Sequence, residues 1–320
     1  MRLGLLSTAR INELLVAGAR QVPGIDVVAI GSRDRARAEA QAHALDIPRA
    51  HDSYEALLAD PDVDAVYVAL PNSMHVEWSL RALQAGRHVL CEKPMSRHPD
   101  DVARAFDAAE RGGLVLAEGF MWRHHPQARR LIELLEQIGD LRLVRASFSF
   151  LLERPGDLRL SGALEGGALM DVGCYCVSAA RLLAGEPLAV SAQQVRGGDV
   201  DMRLTGLLRF PGDVLATIDC GFDLAARDEL EVTGTHGVLW LDDPWHSRNP
   251  AIELRRADGS VERIAVEQLD PYACELQDFA AAVAGERAPR YGREDAIAQA
   301  RAIAALYTSA ETNQPTEVGR

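Results

Sequence analysis

The chain has no excess of positive charge. Lys and Arg total 34 against 47 Asp and Glu, a net charge of −13 over 320 residues. That balance argues against a general nucleic-acid binder and against binding to an anionic membrane surface, since neither set of phosphates would be neutralised. Local basic pockets stay open. Long apolar runs are missing too: none approaches the roughly 18 residues that span a bilayer. The N-terminus enters directly on Arg2-Leu3-Gly4-Leu5-Leu6. It shows no extended apolar stretch with a small-residue cleavage site, so no signal peptide is expected. Cysteine is scarce. Cys91, Cys174, Cys176, Cys220 and Cys274 are odd in number and irregularly spaced. Reduced thiols in a cytoplasmic protein fit this better than a disulfide framework. Cys174-Tyr175-Cys176 holds the only close pair, and no second Cys or His pair stands at zinc-ligand spacing, so no metal is expected. Internal repeats and low-complexity tracts are absent as well.

What is present is an ordinary globular composition, 48% hydrophobic and 25% charged, long enough for two domains. Over the first 120 residues apolar runs alternate with helical patterns. The runs are Leu3–Ser7, Val27–Ile30, Ala65–Leu70, His88–Cys91 and Leu114–Ala117. Between them lie helical stretches at about 11–21, 34–45, 73–85 and 99–111. Continuous apolar strands alternating with helices imply a parallel, doubly wound sheet covered on both faces. Such sheets bind ligands beyond the carboxyl ends of their strands. The character changes after Gly119. A helix at about 126–137 and an extended stretch at 143–151 precede a turn, Glu165-Gly166-Gly167, that opens a helix through Leu183. Strand-like segments then follow at 189–195, 203–210, 214–222, 229–233, 238–241, 252–255 and 261–266, several separated by turn signals. They read as one largely antiparallel sheet, closed by helices at about 272–284 and 293–312. The expectation is an α/β chain with a doubly wound domain over 1–120 and a second α/β domain with an open, largely antiparallel sheet over 121–320.

One stretch lacks what its position demands. Gly4-Leu5-Leu6-Ser7-Thr8-Ala9-Arg10-Ile11-Asn12 sits where a dinucleotide-binding turn carries G-x-G-x-x-G, yet the three glycine slots fall on Ser7, Ala9 and Asn12. The first glycine makes a tight turn, the second admits the pyrophosphate, and the third lets helix and strand pack closely. Ser7 and Ala9 are the next smallest choices. Asn12 is less permissive, and is expected either to hold the helix away from the strand or to point away. The backbone N–H groups and the positive helix end bind anions whatever the side chains. Ser7, Thr8, Ala9, Arg10 and Ile11 are the candidates, with a hydroxyl from Ser7 or Thr8 and a charge from Arg10. On this stretch alone a dinucleotide site and an ordinary βα turn stand level. The second strand is more telling. Where an NAD site wants an acid for the ribose 2′-hydroxyl, the chain has Gly31-Ser32-Arg33. A hydroxyl and a guanidinium hold a 2′-phosphate that an acid would repel. NADP is therefore favoured over NAD, with Asp34 expected to cap the next helix.

Pro71-Asn72-Ser73-Met74-His75 follows the third strand and Cys91-Glu92-Lys93-Pro94 the fourth. Further on stands Gly166-Gly167…Asp171-Val172-Gly173-Cys174-Tyr175. In this order, and over essentially the whole chain, these motifs resemble the glucose–fructose oxidoreductase/inositol dehydrogenase (Gfo/Idh/MocA) family. Gly119-Phe120-Met121-Trp122-Arg123-His124-His125-Pro126 resembles its branch of dimeric dihydrodiol dehydrogenases and NADP-linked xylose dehydrogenases. The resemblance implies a Rossmann domain, then an α/β domain whose open sheet makes subunit contacts, and so a homodimer or homotetramer. Many members have His where this chain has Tyr175, which points to the tyrosine-using members acting on sugars and dihydrodiols.

The implied chemistry suits the residues. Oxidising an alcohol sends a hydride to nicotinamide and a proton to a base. A phenol with a pKa of about 10 is a poor base, and a nearby ammonium lowers that pKa. Lys93 and Tyr175 would then be the general acid/base pair, with Asp171 orienting substrate or Lys93. The resemblance places Pro71, Asn72, Glu92 and Lys93 at the cofactor and His75 at its nicotinamide end, and allows a cis bond before Pro94. Trp122, Arg123 and His124 suit a polyol pocket or, equally, an interdomain packing segment. The expected activity is NADP-dependent transfer of hydride at a hydroxyl or carbonyl of a sugar or related cyclic polyol, at aldose C1. The alternatives are a trans-dihydrodiol dehydrogenase and a nucleotide-sensing protein without turnover.

Overall fold

A computed structural model describes residues 1–154 and 156–319. The chain forms two compact units, each considered by itself. The first comprises 1–96, 100–121 and 270–297, and the second 97–99, 122–269 and 298–320. The break at 121/122 lies one residue from the expected boundary. The return of 270–297 to the first unit was not anticipated.

The first unit alternates β1 (Arg2–Leu6), α1 (Asn12–Ala19), β2 (Asp26–Gly31), α2 (Arg35–Ala44), β3 (Arg49–His51), α3 (Tyr54–Ala59), β4 (Ala65–Val68), α4 (His75–Gln84), β5 (His88–Glu92), α5 (Pro99–Gly112) and β6 (Leu116–Gly119). Its six strands lie in the order β3-β2-β1-β4-β5-β6, and every pair is parallel. Leu3, Leu5, Leu6 and Ala65–Val68 are fully buried, as strands covered on both faces must be. The order turns around between β1 and β4, so their carboxyl ends flank a switch point. β3 and α3 were not anticipated. Arg49-Ala50-His51 has no apolar run, and α3 is too short to show a helical period.

α8 (Pro271–Val283) packs against α1. The seam is closed by Gly18, where an added Cβ would lie 2.8 Å from the Ala273 nitrogen and the Tyr272 Cβ. No other residue lets the two backbones come this close.

The second unit carries α6 (Pro126–Leu134), β7 (Leu141–Leu151), α7 (Cys174–Ala184) and β8 (Ala189–Gly197). They are followed by β9 (Val200–Arg209), β10 (Leu215–Gly221), β11 (Asp223–Gly234), β12 (Gly237–Leu241), β13 (Ala251–Arg256) and β14 (Val261–Ala265). α9 (Arg293–Thr312) and β15 (Thr316–Glu317) end the chain. The nine strands lie in the order β14-β13-β12-β11-β7-β10-β9-β8-β15. Among the described residues of this sheet, only β7 and β10 pair in parallel. Both fold expectations hold: a parallel Rossmann sheet, then a largely antiparallel one.

α7 packs on one face of this sheet, against β7 and β10. The other face is open. The register carries Ser191, Leu207, Thr217, Arg145, Glu231 and Trp240 across it in one row. Leu207 is 44% exposed and Leu215 39%.

Gly162–Ala184 is a helical run long and apolar enough to cross a membrane by composition. It escapes a search for unbroken apolar runs because Glu165, Asp171 and Arg181 interrupt it. In the folded chain 83% of its most apolar window is buried, which makes it a core element.

Candidate functional site

In the first unit the β1–α1 turn adopts the glycine shape without the glycines. Ser7 has φ = 121°, a region that side chains avoid. Its hydroxyl donates to the Ala69 carbonyl at 2.7 Å and accepts the Ala9 N–H at 3.2 Å, tying the end of β1 to the end of β4. Asn12 does not point away. It is fully buried and turns back into the loop. Its Nδ2 donates to the Ser7 carbonyl at 2.8 Å and to Gln41 Oε1 at 2.9 Å. Gln41 in turn donates to the Ala9 carbonyl at 3.1 Å. The backbone N–H groups of Thr8, Arg10 and Ile11 make no hydrogen bond among the described residues. They form a set of donors at a helix start, suited to an anion.

At the end of β2, Ser32 Oγ accepts the Asp34 N–H at 3.2 Å, which leaves its proton to donate. Arg33 is exposed. Asp34 caps α2 by accepting the Arg37 N–H at 3.2 Å, as expected.

After β4, Pro71 and Asn72 lead through a single 3-10 turn into α4. His75 is buried. One ring nitrogen lies 2.9 Å from the Pro94 carbonyl and the other 2.8 Å from the Leu70 carbonyl. The imidazole thus spans the two loops that follow β4 and β5. The Lys93–Pro94 bond is cis. The Met95 N–H donates to Glu118 at 2.6 Å and the Lys93 N–H to Glu92 at 3.3 Å, fixing both sides of the turn. Glu92 also accepts the hydroxyl of Tyr67.

Behind Glu92 lies a residue that the motifs do not reveal. Glu275 on α8 is 1% exposed, and among the described residues neither carboxyl oxygen has a hydrogen-bond partner. Burial first, then the charges of Glu92 and Asp278, push its pKa well above the carboxylate range. The shift favours the neutral form.

In the second unit Asp171 lies on a π-helical turn, Leu169–Gly173, that runs directly into α7 and Tyr175. Such turns concentrate at functional sites. Asp201 on β9 anchors the start, accepting the Leu169 N–H at 2.7 Å and the Tyr307 hydroxyl at 2.9 Å. Gly167, at φ = 117°, leaves room for that carboxylate, since a Cβ there would lie 2.1 Å from it. Arg159 Nε donates to Asp171 at 2.6 Å, and Arg159 also pairs with Asp157 at 3.3 Å.

Tyr175 belongs to an aromatic group. Its ring centroid lies 5.4 Å from Phe148 and 5.9 Å from Trp245. Trp245 meets Trp122 edge-on at 5.4 Å, and Phe148 meets His246 at 5.5 Å. The structure therefore links two expected residues, Trp122 and Tyr175, through Trp245. Phe148, Trp245 and His246 escaped sequence reasoning because they belong to no motif. Trp122, Arg123 and His124 are buried on a short 3-10 turn. Among the described residues the Trp122 indole N–H has no hydrogen-bond partner. The ligand atoms of Asp228, Asp243 and His246 lie within 4.8 Å of one another. The Arg248 guanidinium sits 3.2 Å from Asp228 and 2.9 Å from Asp243, and supplies the compensating charge.

Comparison with known proteins matches residues 3–120 to the oxidoreductase family with an NAD-binding Rossmann fold, and residues 125–240 to the GFO/IDH/MocA C-terminal domain. The chain is 41% identical to D-xylose 1-dehydrogenase (NADP(+)) 2 of Haloferax volcanii, over 99% of this chain and 100% of that one. It is 34% identical to trans-1,2-dihydrobenzene-1,2-diol dehydrogenase of Macaca fascicularis, over 76% of this chain and 75% of that one. A 3-ketoreductase from Actinomadura kijaniata, solved with NADP and TDP-benzene, superposes with a TM-score of 0.91 at 34% identity. That match covers 97% of each chain.

Proposed function

The chain belongs to the Gfo/Idh/MocA oxidoreductase family, and from that premise we propose that it is an NADP-dependent enzyme of sugars, oxidising the C1 hydroxyl of an aldose or reducing the matching carbonyl. The observation that carries this is the trio of unengaged N–H groups at Thr8, Arg10 and Ile11. They stand at a switch point, one strand away from the exposed Arg33. The donor set fits a dinucleotide pyrophosphate and a 2′-phosphate. Ser7, Thr8, Ala9, Arg10 and Ile11 would hold the pyrophosphate, Ser32 and Arg33 the 2′-phosphate, and Pro71, Asn72, Glu92 and Lys93 the nicotinamide half. Bound NADP supplies the two-electron acceptor.

The protein handles the proton. Tyr175 takes it from the substrate hydroxyl, and the Lys93 ammonium makes the phenolate accessible. Asp171, set by Arg159, orients this pair or the substrate. His75 takes a positioning role, holding the turn of Lys93. Partly exposed Phe148 offers an aromatic face to a sugar ring, with the buried Trp245 and Trp122 packed behind it. Support for an aldose comes from the similarity to the xylose dehydrogenase. Support for the second reading, a trans-dihydrodiol, comes from the aromatic group around Tyr175, which suits a flat ring equally well. The open face of the second sheet is the expected contact of a homodimer or homotetramer.

Lys93→Ala is expected to lower turnover about 10²- to 10⁴-fold while NADPH still binds, read by fluorescence titration. Near-normal turnover would remove Lys93 from the chemistry. A panel of aldoses and dihydrodiols, run with the preferred nucleotide, separates the two substrate readings.

A further inference from the structure

The β1–α1 turn poses a mechanical problem. Ser7 is held at φ = 121°, and a side chain in such a region persists only where its surroundings over-determine it. The backbone alone does not do this. The Ser7 N–H bonds to the Gly31 carbonyl at 3.1 Å, which fixes the start of the turn but not its return. Across the return the backbone adds one long bond, from the Asn12 N–H to the Ala9 carbonyl at 3.3 Å, and side chains supply the rest. Asn12 Nδ2 reaches the Ser7 carbonyl at 2.8 Å and Gln41 Oε1 at 2.9 Å. Gln41 Nε2 reaches the Ala9 carbonyl at 3.1 Å. The two amides form a chain from one carbonyl of the turn to another, with its middle on α2.

The consequence is directional. The Ser7 carbonyl is held by Asn12 at the start of α1 and the Ala9 carbonyl by Gln41 on α2, and the Thr8, Arg10 and Ile11 N–H groups are left without an internal acceptor among the described residues. The amide orientations are mutually fixed: Asn12 Nδ2 serves two acceptors, so Gln41 must present its oxygen there and its nitrogen to Ala9.

We propose that Asn12 and Gln41 are positioning residues for the pyrophosphate, forming a side-chain brace that replaces the fingerprint glycines and holds the turn ready before the nucleotide arrives. The proposal rests on the cofactor reading above only for the identity of the anion. Preorganised donors save the ordering cost at binding. The brace therefore acts on nucleotide affinity and leaves the chemical step alone.

Gln41→Ala is the cleanest variant. Position 41 is half-exposed on α2, where alanine is a good helix former. Losing two hydrogen bonds is expected to raise the NADPH Kd about five- to tenfold, with kcat at saturating NADPH within about twofold. Ser7→Gly removes the strain together with the hydroxyl's bonds to Ala69 and Ala9, so Gln41→Ala is compared within that background, where it should change the Kd by less than about twofold. Asn12→Ala and Gln41→Ala should be non-additive, because each breaks the same chain. Amide hydrogen exchange of residues 8–12 without nucleotide supplies a readout free of the cofactor. Gln41→Ala should speed exchange there, and Ser7→Gly should blunt that effect. An unchanged Kd and unchanged exchange in Gln41→Ala would overturn the brace, as would an equal loss in the Ser7→Gly background. If the parent protein bound no NADPH at all, the cofactor reading would fall, and the exchange experiment would still decide the brace.

Discussion

Arg159 holds Asp171 through a single short hydrogen bond of 2.6 Å from Nε to Oδ2. Asp171 sits on the π-helical turn just ahead of Tyr175, and Arg159 reaches it from the 3-10 turn Leu158–Leu160. Charge-assisted bonds of this kind contribute about 1.5–3 kcal/mol when sheltered. This one is partly exposed, so its effect is expected at the low end. Arg159→Leu should lower kcat about tenfold and leave the NADPH Kd unchanged. Arg159→Lys should recover only part of the loss, since Lys cannot reproduce the fixed geometry of the guanidinium. Steady-state kinetics beside nucleotide titration checks both. A change confined to the NADPH Kd would assign Arg159 elsewhere.

Arg33 is exposed just past the end of β2. Arg33→Ala should weaken NADPH about tenfold or more and NADH by less than about twofold. The parent protein's preference should also shrink as salt is raised, because exposed charge pairs are screened. Equal affinity of the parent for the two nucleotides would remove the role given to Ser32 and Arg33.

Glu275 makes stability depend on pH. Unfolded, it titrates in the ordinary carboxylate range. Folded, burial and neighbouring acids hold its pKa well above that range. Between those two values the folded state carries a proton that the unfolded state has lost. Its contribution is therefore fully present below the unfolded pKa and is lost as pH rises toward the folded one, by up to about 1.4 kcal/mol per pH unit. Glu275→Gln removes this term. Urea unfolding at several pH values should show a flatter profile for Glu275→Gln than for the parent protein above about pH 5. Parallel profiles would mean that Glu275 is already ionised in the fold.

The open sheet face exposes Leu207 and Leu215 beside the exposed Arg145–Glu231 ion pair at 2.9 Å. If that face joins subunits, Leu207→Asp buries a charge without a partner and should shift light-scattering mass toward the monomer. Turnover per chain would then show whether assembly matters to the site. An unchanged mass would move the contact elsewhere.

The strand and helix pattern was largely legible because each long element carries its own period. α5 and α9 read cleanly, and so did nearly every strand of the second sheet, where pleated alternation and turn residues agree. β3 and α3 were not legible: three and six residues are too few to show a period. Motif residues such as Lys93, Asp171 and Tyr175 could be named because order along the chain survives without coordinates. Their supports could not. Gln41 lies 29 residues from Asn12, Arg159 twelve from Asp171, and Trp245 seventy from Tyr175. Nothing in local pattern ties such pairs together. The inward turn of Asn12 was hidden for the same reason, since one of its two partners is on another helix.

The return of α8 to the first unit bears on how this protein can be cut. The nucleotide-binding part is not a contiguous cassette. A fragment ending at residue 120 would lose the helix that fills the groove at Gly18, along with Tyr272 and Glu275. It would present a bare apolar seam on α1 to water. Anyone grafting this Rossmann unit onto another protein must carry residues 270–297 with it, or redesign the face that they cover.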